Sequence, residues 1–170
     1  MSGAVSARLS AALALCAMSE AAAAVTPQQQ ATAGATIIHP LTVTKIQDMD
    51  FGELSVGVAG TAVLEPNANS LTTTGGVASI GGSPTCAEFV GAAQSNSVVN
   101  IKIPNGSVTL TRVGGTETMT VSNFTLQGQS KRALARAQSF TFRVGGTLNV
   151  AAGQVEGLYV GTFDVTVQYP

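Results

Sequence analysis

Tryptophan is absent from this 170-residue chain, histidine occurs once, and aromatic residues make up only 5% of it. So few flat rings leave little on which a sugar ring could stack. The lone imidazole, His39, stands directly before Pro40, which holds its backbone extended. A Ser-His-Asp or Cys-His arrangement would have to use this one residue, which reads instead as a surface or half-buried strand position. With two cysteines and one histidine, the usual ligand sets of a zinc site cannot be assembled. Charge is also scarce. Only 10% of residues are Asp, Glu, Lys or Arg, and the net charge is −1. Long solvent-exposed helices and coiled coils need many more charges than this, and a grip on nucleic acid needs a surplus of Lys and Arg. The low net charge and a mean hydropathy of +0.31 argue against disorder.

The chain is instead rich in Val, Thr, Ser and Gly, the composition of pleated sheet with tight turns. Its start follows a different rule. Arg8 precedes an apolar run from Leu9 to Met18, and Ser19-Glu20-Ala21-Ala22-Ala23-Ala24 follows. That order of positive start, short apolar run and small-residue cleavage site matches a secretory signal peptide over residues 1–24, with cleavage expected after Ala24 or, next, Ala23. Ten apolar residues fall far short of the ~20 that span a bilayer as a helix, so no integral membrane span is expected. Export would place the protein in the periplasm, at the cell surface or outside the cell. Cys16 would leave with the leader, and Cys86, alone, would be a small buried hydrophobe at the start of a strand. The remaining chain is long enough to bury about 70% of its unfolded surface without a disulfide.

Residues 25–34 hold small and polar side chains with no large anchor and read as a flexible N-terminal extension; residues 35–170 read as one β domain. Apolar residues recur with period two in Val99-Ile101-Ile103, Val108-Leu110, Phe140-Phe142-Val144 with Leu148 and Val150, and Phe163-Val165-Val167-Tyr169. Between Val121 and Phe124 the apolar phase slips by one, which predicts a bulge near Ser122-Asn123. Asn105 and Asn123 fit the glycosylation pattern but read as turn and bulge residues. Gly75-Gly76, Gly81-Gly82, Pro104-Asn105-Gly106, Gly114-Gly115 and Gly145-Gly146 read as turns between strands. The echo of Arg112-Val113-Gly114-Gly115-Thr116 in Arg143-Val144-Gly145-Gly146-Thr147 then reads as two strand ends sharing one turn. Lys131–Ala137 is helix-like but too short for a helix, and Lys131, Arg132 and Arg136 read as a solvated loop or guarded edge strand. The pattern predicts an all-β, immunoglobulin-like antiparallel sandwich of seven or eight strands, with a closed β-barrel as the alternative.

Asp48 and Asp50, two apart, would point to one face of a strand about 6.5 Å from each other. That spacing suits a paired-carboxylate hydrolase, but the chain lacks the aromatic residues to hold a sugar. No cofactor is expected, and the chain reads as non-enzymatic. Residues 25–97 carry one Lys against five acids, and residues 98–170 carry six bases against three acids. Greek-key connections would intermingle the two sets.

A set of ordered motifs carries a family resemblance. They are Pro40–Lys45, Asp50-Phe51-Gly52, Thr72–Val77, Met119–Phe124, Gly145-Gly146-Thr147-Leu148 and Gly157–Tyr169. Together they resemble a family of small secreted bacterial all-β proteins catalogued as a domain of unknown function. The ending is more distantly similar to chaperone–usher pilins, whose last strand alternates apolar residues and stops at an aromatic. The resemblance implies an immunoglobulin-like surface protein, such as a pilin-like or fimbrial subunit, with copies of itself and a periplasmic chaperone or usher as partners. The chain departs from many usher pilins in lacking their disulfide. Assembly would be by strand addition through the two chain ends: Ala35 and Ile37 at the front, and Tyr159, Phe163, Val165, Val167 and Tyr169 at the back. The other reading of the sequence is a monomeric secreted adhesion module that recognises glycan or peptide through its loops.

Overall fold

A computed structural model describes residues 29–37, 40–136 and 139–170. The expected signal peptide, residues 25–28 of the extension, His39 and Ala137 lie outside the described residues. The chain divides into a unit ending at Thr36 and a second unit, Ile37–Pro170. Within the first, residues 29–36 are exposed and form no regular structure.

The second unit is all β. Its strands are β1 (Thr42–Gln47), β2 (Glu53–Glu65), β3 (Ser70–Gly81), β4 (Ala87–Ala92), β5 (Ser97–Lys102), β6 (Val108–Arg112), β7 (Thr118–Leu126), β8 (Lys131–Leu134), β9 (Ser139–Val150), β10 (Tyr159–Val160) and β11 (Thr166–Gln168). The described strands number eleven rather than seven or eight, because short pieces such as β8, β10 and β11 carry too few residues to show a period of their own. An eight-stranded sheet runs β1-β4-β9-β7-β6-β10, with β2 joined to β9 and β3 joined to β2. A second sheet runs β11-β5-β8. Every pairing is antiparallel. The small sheet covers part of the large one as a sandwich, and the rest of the large sheet curls into an open half-barrel. The barrel is not closed.

Strand β9 organises both halves. Its first half, Ser139–Val144, pairs with β4, and its second half, Gly146–Val150, pairs with β2 along the same edge. Strand β7 lies along the opposite edge. Phe142 in the first half is fully buried between the sheets with Ala87, Ile101 and Val144. Its ring stacks on Phe89 at 5.3 Å and Phe140 at 6.1 Å. Leu148 and Val150 in the second half belong to the half-barrel core with Phe51, Ala62, Leu64, Val77, Cys86 and Val121. Each such large side chain contributes roughly 1.5–3 kcal/mol through burial. A third cluster of Ala93, Val99 and Leu134 closes the end of the sandwich.

The expected bulge is present: the register of β7 on β9 shifts between Ser122 and Thr125, and Asn123 has φ of 48°. Cys86 sits buried just before β4, as expected, and burial raises its thiol pKa while nearby Arg143 works in the other direction. One ion pair joins the two charge sets: Glu88 on β4 meets Arg143 on β9 at 3.3 Å. Two expectations need correction. Gly145-Gly146 is not a turn but the middle of β9, and Gly75-Gly76 lies inside β3. A side chain at Gly145 would run into the Leu64 carbonyl and Pro66, so close packing of β9 on β2 requires glycine there. The echoed motif therefore serves as a turn at Gly114-Gly115 and as a packing site at Gly145-Gly146. Lys131–Leu134 is an edge strand, β8, of the small sheet.

Candidate functional site: an apolar groove in the half-barrel

The curl of the large sheet leaves a concave groove of about 880 Å³. Its floor is built by the inward positions of β6, β7 and β9, where Val108, Leu110, Met119, Val121, Leu148 and Val150 alternate with polar residues on the outer face. One wall comes from the connection Met49–Gly52 and the start of β2, together with Ile80 of β3; the other comes from the segment Gln154–Phe163. The volume lies within the range of ligand pockets, about 300–1,000 Å³. Apolar side chains at its rim face water: Ile80 is 66% exposed and Leu158 is 68% exposed.

The second wall is a strap fastened at few points. Tyr159 pairs with Arg112 and Val160 with Thr111, and Val113 N–H donates to the Leu158 carbonyl at 2.8 Å. The Tyr159 hydroxyl donates to the Val155 carbonyl at 2.6 Å and accepts from Gln154 Nε2 at 2.7 Å, which folds the strap on itself. Beside it, Arg112 Nε donates to Glu117 Oε2 at 2.7 Å across the β6–β7 turn. That bond lowers the Glu117 pKa and raises that of Arg112.

The seven residues marked by sequence part into three groups. Ala35 and Ile37 are exposed and in no strand, with Ile37 95% exposed. Tyr159 and Phe163 line the groove, and Phe163 packs on Phe124 at 5.1 Å between ring centres. Val165 and Val167 pack into the Phe142 core, and Tyr169 packs at the sandwich end, where its hydroxyl accepts from Gln94 N–H at 3.0 Å. The ending is not one continuous strand. Only Tyr159–Val160 and Thr166–Gln168 are paired, and they belong to different sheets. The chain crosses between them because Gly161 abuts the Thr109 carbonyl and Leu110, while Phe163 and Val165 turn into the interior. The groove itself is missed by sequence reading, because its floor residues carry the same alternation as a filled core.

Asp48 and Asp50 do not form a strand pair. β1 ends at Gln47, Asp48 bonds Lys45, and Asp50 Oδ1 accepts from Gly52 N–H at 2.8 Å in a tight turn where Gly52 has φ of 71°. Among the described residues no three His, Cys, Asp or Glu side chains come together, and no helix is long and apolar enough to cross a membrane.

The motifs singled out in the sequence fall on β1, the Asp50 turn, β3, β7, β9 and the strap with β11, and a family pattern matches residues 41–169. The chain belongs to the family described as Domain of unknown function (DUF4402). No curated protein and no solved structure matches it. The DUF4402 match runs from the residue before β1 to the residue after β11, so both sheets and the groove lie inside the family domain, and Gln29–Ile37 precedes it.

Proposed function

We propose that this protein is a non-enzymatic, exported structural subunit of the cell surface, pilin-like or fimbrial, which assembles with copies of itself by strand addition. One observation carries the reading: a segment with the alternation of a strand, Ala31, Ala33, Ala35 and Ile37 between Gln30, Thr32, Gly34 and Thr36, is exposed and, among the described residues, pairs with no strand. A chain with such alternation can lie along a sheet edge, where one set of side chains enters pockets. The sheets provide such edges, and the leader-like start supports export. Deletion of residues 25–34 is expected to abolish surface filaments seen by negative-stain microscopy while the protein is still exported. Filaments of normal length and number from the deleted chain would overturn the proposal, as would a wild-type protein found only as a periplasmic monomer.

A further inference from the structure

Asparagine is followed by glycine once in this chain, at Asn105-Gly106. The pair lies in the connection from β5 of the small sheet to β6 of the large one. Both residues are exposed and form a bend, and among the described residues neither makes a hydrogen bond. A side chain at Gly106 would meet nothing within 4 Å, so open space surrounds this peptide unit.

Glycine lacks the Cβ that would otherwise shield its own nitrogen. The Gly106 nitrogen can therefore attack the side-chain carbonyl carbon of Asn105. As that nitrogen gives its proton to water it bonds to Cγ, the Cγ–Nδ2 bond breaks, and ammonia leaves. Water then opens the five-membered imide at either of its two carbonyls. One opening leaves aspartate; the other leaves isoaspartate, in which the main chain runs through the former side-chain carbon. Overall one water is consumed and one ammonia released, with no oxidant or reductant.

The six other asparagines each precede a residue with a side chain, and the fold also holds them. Asn67 Nδ2 donates to Glu65 Oε1 at 3.0 Å, Asn69 Oδ1 accepts from Cys86 N–H at 3.0 Å, and Asn149 Nδ2 donates to Ser122 Oγ at 2.8 Å. Asn100 and Asn123 lie within β5 and β7, and Asn96 N–H donates to the Leu134 carbonyl at 2.6 Å.

We propose that Asn105 is a modification site: in the folded chain it deamidates spontaneously to aspartate and isoaspartate, with water as the co-reactant, and the fold carries both products. One more negative charge turns the net charge from −1 to −2. The extra main-chain atom of isoaspartate falls in an exposed connection, outside every strand, so neither sheet has to shift its register.

The test is incubation of the full-length folded protein at pH 8 and 37 °C, read by peptide mass spectrometry and isoelectric focusing. The peptide carrying Asn105 is expected to gain one dalton, ahead of every other asparagine, while an acidic band grows at the same rate. An isoaspartate methyltransferase used as a reagent is expected to label the aged wild type and not Asn105→Gln. The native rate is expected within about threefold of the rate in guanidinium chloride, because nothing in the fold restrains the pair. Gly106→Ala and, separately, Asn105→Gln are expected to slow the change by about tenfold or more with the thermal midpoint kept. Two variants guard against one failing to fold. The aged wild type is expected to melt within about 2 °C of fresh protein. A folded chain that keeps Asn105 intact while the denatured chain loses it would overturn the site, as would faster loss at another asparagine or a variant that acidifies as fast as wild type. Unfolding that tracks product formation would overturn the claim that the fold carries it.

Discussion

Gly145 sits in the middle of β9 against the Leu64 carbonyl of β2, so close that a side chain cannot start there. This contact lets β9 leave β4 and take up β2 along the same edge, which is where the sandwich gives way to the half-barrel. Gly145→Ala is expected to destabilise the fold by about 1–3 kcal/mol, the usual cost of forcing atoms into a packed site. Gly106→Ala, at a turn where a side chain meets nothing within 4 Å, is expected to change stability by less than about 0.5 kcal/mol. Urea melts of the two variants measure the contrast, and equal midpoints would contradict it.

Arg132 on β8 ties the β7–β8 connection to β9. It donates to the carbonyls of Gln127, Gln129 and Thr141, and its guanidinium lies over the Phe142 ring at 5.7 Å. Burial lowers its pKa, but the group stays charged at every pH in which the protein is folded. Arg132→Lys is expected to cost about 1–2 kcal/mol, because one ammonium cannot reach three separated carbonyls. Thermal melts of the lysine and alanine variants check this, with alanine expected to be the worse.

Glu117 has a lowered pKa because Arg112 donates a hydrogen bond to it. A carboxylate depressed in the folded state stabilises above its unfolded pKa, and that contribution is lost as pH falls through the folded value. The midpoint difference between wild type and Glu117→Gln is therefore expected at pH 7 and should vanish in acid below the usual carboxylate range. A difference that grows on acidification would contradict the assignment.

Much of this architecture is legible in the residues. Period-two alternation places β5, β6 and β9, and the phase slip at Ser122-Asn123 locates the bulge, because a pleated strand with one buried face leaves that trace. The glycines mislead, because Gly-Gly looks the same whether it makes a turn, as at Gly114, or admits a neighbouring backbone, as at Gly145. The ending misleads for a related reason. Phe163, Val165 and Val167 alternate correctly, but alternation does not reveal that a chain passes from one sheet to another. The groove is invisible to pattern, since Leu110 and Val121 would alternate identically whether the barrel were filled or open.

Cys86 is buried against Asn69, whose Oδ1 accepts the Cys86 N–H at 3.0 Å, and burial raises its thiol pKa. Since the thiolate is the reactive form, labelling by a disulfide reagent at pH 8 is expected to be no faster than unfolding. Rapid labelling of the native protein would show that the half-barrel opens far more readily than its packing implies.

Assembly through an unpaired strand is the central claim, and sedimentation velocity of wild type beside Ile37→Asp tests it most directly. Ile37 is almost wholly exposed and touches little of its own subunit, so the aspartate is expected to leave the thermal midpoint within about 1 °C. Wild type is expected to show concentration-dependent species larger than a monomer, and Ile37→Asp to sediment as a monomer over the same range. Wild type that is monomeric at every concentration, or an Ile37→Asp variant that assembles equally well, would contradict the account.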